Sequence, residues 1–174
     1  MWQNQNIKFV LAVGFQTLAI LVLVVYKYLI FAGGTEVLLR IEPVDPRDLL
    51  RGDYVTFGYD ISQPYSYGER FRNGQKVYVT LVSGGRYWYA GDVSPTRPLS
   101  EEIYIEGTVA AGGSVNQEDS GRLTIEYGIE DYFIPEKSGR NVNITNKEAA
   151  ALVSVDDRGQ AVLKKIFLDG HPWP

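Results

Sequence analysis

From residue 35 to residue 170 apolar and polar positions alternate with a period of two, in runs broken by Gly, Pro, Asn and Asp. That alternation marks strands with one face turned to a core and one to solvent. The clearest run is RGDYVTFGYDI, residues 51–61, in which a turn opens into a strand. Val55, Phe57, Tyr59 and Ile61 fall on its apolar face, and Tyr54, Thr56, Gly58 and Asp60 on the other. TEVLLRIE (35–42) predicts an earlier strand, ended by the prolines and aspartates of 43–48. KVYVTLVS (76–83) and RYWYAGDVS (86–94) flank Gly84-Gly85 and predict a hairpin with a two-residue turn. EEIYIEGTVAA (101–111) and RLTIEYG (122–128) extend the series, and 151–157 with 160–170 predict a second hairpin. Thr145 and Glu148 have capping-box spacing, so one short helix is expected near 145–150.

The N-terminal stretch follows a different rule. Phe9 to Tyr26 is 18 residues without a charge, and Leu29 to Ala32 continue the apolar character. From Phe9 to Ala32 a helix reaches about 36 Å, enough to cross a bilayer. The run exceeds the apolar core of a secretory signal peptide, and Ile30-Phe31-Ala32 is a poor cleavage site. Residues 1–32 are therefore expected to be an uncleaved transmembrane anchor, with Gly33-Gly34 as a hinge and 33–174 as one β domain. Lys8 and Lys27 can snorkel, and Trp2, Tyr26 and Tyr28 suit the interfaces. Flanking charge is nearly balanced; the β domain is placed outside the cytoplasm, on a protein of the cytoplasmic membrane. Gln16 is the one strongly polar side chain at depth and a candidate helix–helix contact.

Composition narrows the class. The 12 Tyr, 3 Trp and 18 Gly favour strands and turns, so the fold class is all-β, a compact antiparallel barrel or sandwich behind one transmembrane helix. The absence of Cys removes disulfides, thiolate metal sites and cysteine nucleophiles. Without Lys8 and Lys27 the remainder holds 15 basic against 21 acidic residues, a balance that does not attract phosphate backbones. Nucleic acid is thus excluded as a partner; membrane lipid is expected as one.

The signature itself carries a resemblance. Gly52-Asp53-Tyr54-Val55-Thr56-Phe57-Gly58-Tyr59 resembles the motif of the GDYXXLXY domain family, with Phe57 where that family usually has Leu. PVDPRDLLRGDYV (43–55), YGIEDYFIPE (127–136) and VDDRGQAVLKKIFLDG (155–170) look like the same family in the same order. The resemblance implies a membrane-anchored β protein and names no activity. A more distant likeness is to the type I signal peptidase fold, in which a Gly-Asp also enters a strand soon after the catalytic serine. Val44 stands where that serine belongs, no Ser or Thr lies between Thr35 and Thr56, and Lys76 is a weak stand-in for the dyad lysine.

Other constellations have plainer explanations. Asp45, Asp48 and Asp53 lack the spacing of a calcium loop. Glu101-Glu102 and Glu130-Asp131 are adjacent acids that point to opposite faces of a strand. Tyr87, Trp88 and Tyr89, with Tyr78 across the hairpin, are candidates for an aromatic platform, Tyr87 and Tyr89 sharing a face. His171 is the only histidine. No catalytic residue, cofactor or metal site is predicted. Arg51, Gly52, Asp53, Tyr54, Phe57 and Tyr59 are expected to form a structural keystone. Candidate partner contacts are Gln16, the loop residues Tyr65, Tyr67 and Phe71, and Trp173. The function expected is a non-enzymatic accessory subunit that binds another membrane or envelope protein. A carbohydrate or small-ligand binder is the alternative, and a diverged hydrolase a second one.

Overall fold

The computed structural model describes residues 2–42, 54–66, 70–99, 101–112, 121–133 and 148–173. It opens with helix α1 (Trp2–Gly33) and strand β1 (Thr35–Glu42). Strands β2 (Tyr54–Thr56) and β3 (Gly58–Tyr59) follow, then a 3-10 turn at Asp60–Ser62 and β4 (Tyr65–Ser66). The middle of the chain supplies β5 (Lys76–Ser83), β6 (Trp88–Ser94), β7 (Tyr104–Ala111), β8 (Gly121–Arg122), β9 (Thr124–Glu126) and β10 (Asp131–Phe133). The last strands are β11 (Ala149–Val155), β12 (Ala161–Leu168) and β13 (His171–Trp173).

One antiparallel sheet runs β13-β12-β11-β1-β3 and another β6-β5-β7-β9, with two-stranded pairs β10-β2 and β4-β8. The two larger sheets form a half-barrel around a single core. The period-two pattern places the core: Val37, Leu39 and Ile41 from β1 meet Val77, Val79 and Leu81 from β5. Ile105, Val109 and Ile125 complete it from β7 and β9, and Val153 and Ile166 from β11 and β12. Each such side chain, fully buried, contributes about 1.5–3 kcal/mol.

Several local expectations are corrected. Residues 54–61 are not one strand. The chain leaves β10 after Thr56, takes a hydrogen bond from the Phe57 amide to the Glu130 carbonyl at 2.8 Å, and joins β1 at Gly58. The alternation survives the break, because Phe57, Tyr59 and Ile61 are all buried. The β5–β6 turn has four residues rather than two: Ser83 pairs with Trp88, the Gly84 amide bonds the Tyr87 carbonyl, and Gly85 adopts φ 91°. Ala149 and Ala150, expected in a helix, are strand residues, while Thr145 lies outside the described residues. β11 sits between β1 and β12 and is buried on both faces, where small side chains fit. The tail forms β13 against β12.

The helix end is also corrected. Gly34 is no hinge: a Cβ there would meet Ser154 Oγ at 2.6 Å, the Val155 carbonyl at 2.8 Å and the Ile30 carbonyl at 2.9 Å. Both the Gly34 amide and the Ser154 hydroxyl donate to the Ile30 carbonyl, at 3.0 and 2.7 Å. Ile30 is buried, and Lys164 lies over the Phe31 ring while pairing with Glu36 at 2.7 Å. The last turn of α1 is thus fused to β11 and β12. From Ile7 to Gly33 the helix is apolar enough to cross a membrane, and its apolar side chains before that last turn are exposed.

Candidate functional site

The signature strand and the segment after β9 carry the same short pattern, Tyr59-Asp60-Ile61 and Tyr127-Gly128-Ile129. Each tyrosine donates to the carbonyl of the other segment's isoleucine. Tyr59 Oη reaches Ile129 O at 2.6 Å, and Tyr127 Oη reaches Ile61 O at 2.6 Å, both buried. Burial first, then the charge of Glu130, pushes both phenols well above the ordinary tyrosine range, so they act as neutral donors. Glu130 closes the turn by accepting from the Tyr127 amide at 2.5 Å, and Thr56 donates to Asp131 Oδ1 at 2.9 Å. The acids at 130 and 131 are therefore structural acceptors. The arrangement clasps the signature to the sheet that contains β9.

Asp60 sits inside this clasp. Its Oδ1 is the buried side-chain oxygen without a hydrogen-bond partner among the described residues. Burial, opposed by the Ile61 amide and Arg40 and reinforced by Glu42, pushes its carboxyl up to about 6. A strained carboxyl of this kind marks functional sites and internal structural networks alike. On the far side of Arg40 lies Tyr87, with the guanidinia of Arg40 and Arg86 5.2 and 5.1 Å from its ring centre. Tyr87 donates to Glu148 at 2.5 Å, and Arg86 pairs with the same carboxylate at 3.3 Å.

The predicted keystone residues divide in placement. Phe57 and Tyr59 are in the core; Tyr54 begins β2; Arg51, Gly52 and Asp53 lie outside the described residues, as do Tyr67 and the aspartates at 45 and 48. Among the predicted contacts, Gln16 is exposed on α1 and Tyr65 is half exposed beneath Arg122. Phe71 is corrected: it is buried in the core and cannot meet a partner. Trp173 is half-buried and packs on its own chain, 6.4 Å from Tyr132. The aromatic platform does not form as expected. Tyr87 is buried against Glu148, Trp88 packs on the core, and Tyr78 stands edge-on to Tyr104 rather than joining them. Lys76 is salt-bridged to Glu106 at 2.6 Å, and that hydrogen bond raises its pKa, the reverse of what a general base needs.

Sequence reasoning missed the clasp, although the repeated Tyr-x-Ile was a visible signal. Nothing in one sequence marks Asp60 as unpartnered. No curated protein and no solved structure matches the chain. The signature, the segment it clasps and most of the closing hairpin fall within residues 16–166, the stretch matched by the model of the GDYXXLXY protein family, and the chain belongs to that family.

Proposed function

We propose that the chain is a non-enzymatic, single-pass membrane protein whose β domain, outside the cytoplasm, binds another membrane or envelope protein as an accessory subunit. The observation that carries this is the joint at Ile30–Gly34. An exposed apolar helix is packed and hydrogen-bonded to the β domain at its last turn, which holds the domain close to the helix end. The hairpin of β5 and β6 supplies a surface. Val82 and Tyr89 are cross-strand partners on one face, and both side chains are about half exposed.

The test is purification of the tagged full chain from native membranes in mild detergent, with photo-cross-linkers at positions 82 and 89. One stoichiometric membrane or envelope protein is expected in the adduct, and Val82→Glu with Tyr89→Glu should abolish it. Recovery of the chain alone, cross-linked to nothing from either position, overturns the reading.

A further inference from the structure

A cleft of about 420 Å³ lies where the helix meets the β domain, lined by Lys27, Glu106, Thr108, Glu126 and Gln160. Its level relative to a bilayer follows from the helix. Ile30 and Gly34 are already engaged with β11, and Tyr26, Leu29 and Gly33 line a neighbouring hollow with the 156–158 turn. The last two turns of α1 are therefore flanked by protein on one side, and the uncharged stretch left wholly to lipid is Phe9 to Val25. Those residues span about 26 Å, and with Lys8 and Lys27 snorkelling at its two ends the stretch fits a hydrocarbon core of about 30 Å. Lys27 is the first charge beyond that stretch and stands at headgroup depth.

The charges in the cleft are incompletely matched. Glu106 is neutralised by Lys76 at 2.6 Å. Glu126 shares the face of Thr108, its cross-strand partner, and neither it nor Lys27 makes an ion pair among the described residues. A cation carried by the helix and a carboxylate carried by the sheet thus line one cleft without engaging each other. A ligand that presents an anion and a hydrogen-bonding cation on a short arm satisfies both. We infer that this cleft binds the phosphoethanolamine headgroup of a membrane phospholipid, with the phosphate on Lys27 and the ammonium on Glu126. Thr108 and Gln160 offer further hydrogen bonds. A phosphoglycerol headgroup has no cation for Glu126, and a phosphocholine has no N–H to donate to it.

The inference rests on α1 crossing the bilayer, and the experiment separates the two. Membranes carrying the full chain are first washed with alkaline carbonate; release of the chain refutes the anchor, whereas retention leaves only the cleft at issue. The chain purified in detergent is then analysed by native mass spectrometry with equal amounts of phosphatidylethanolamine, phosphatidylglycerol and phosphatidylcholine. One retained phosphatidylethanolamine is expected, favoured about tenfold over the others. Lys27→Gln and Glu126→Gln should each erase the preference at unchanged thermal midpoint, and Lys8→Gln should keep it. Equal retention of the three lipids, or a preference that survives both cleft substitutions, overturns the proposal. Competition by water-soluble O-phosphoethanolamine as strong as by the lipid also overturns it, assigning the cleft to a free ester.

Discussion

Replacing Tyr59 or Tyr127 by Phe removes one hydroxyl and leaves the ring in place, so it isolates the clasp. Each change strips a buried carbonyl, of Ile129 or of Ile61, of its 2.6 Å donor. The expected cost is about 1–3 kcal/mol for each substitution. For a domain of this size that corresponds to a fall in Tm of roughly 4–10 °C. Because both bonds tie the same two segments, opening one weakens the other, and the double variant should lose less than the sum by about 0.5–1 kcal/mol. Guanidinium unfolding of the full chain in mild detergent, followed by the fluorescence of Trp88 and Trp173, measures all three. Both indoles pack on the core and report its loss. A pH arm adds a second readout. The folded phenols titrate above their unfolded value near 10, so their contribution is complete below pH 10 and is lost as pH rises beyond it. The Phe variants should flatten that alkaline decline. Single variants within about 0.5 kcal/mol of wild type, or strict additivity, would refute the clasp as a cooperative unit.

Three further outcomes follow from single sites. Gly34→Val places a side chain against Ser154 and two carbonyls and should lower stability by more than about 2 kcal/mol, read by the same unfolding assay. Phe57→Ala empties a core position that is 2% exposed and should cost about 3–5 kcal/mol. Asp60→Asn removes a carboxyl whose folded pKa, about 6, lies above its unfolded value. Protonation favours the fold, so this group's contribution is full below the unfolded pKa near 4 and is lost as pH rises through 6. The Asn variant should be more stable than wild type at pH 7 and should flatten the slope of Tm between pH 4 and 6. A wild-type slope retained in the variant would show that Asp60 is not the titrating group.

The β class, the apolar helix, the faces of β1 and β5 and the closing hairpin are all legible in the amino-acid pattern. All of these follow from local periodicity, which needs no knowledge of distant partners. The pattern also singled out Phe57 and Tyr59 as inward-facing, and the family motif around them. Tertiary structure decided what those residues touch. Phe57 ends one pairing and the next residue begins another, because β10 and β1 each take half of what looked like one strand. Gly33-Gly34 has the composition of a hinge, yet the close approach of Ser154 makes Gly34 the narrow point of a rigid joint. Phe71 and Trp173 read as surface aromatics, but apolar area on a polar loop or tail gains more from the chain's own core than from solvent. The two Tyr-x-Ile segments stand far apart in the chain, and only the folding of one sheet over the other brings each hydroxyl to the opposite carbonyl.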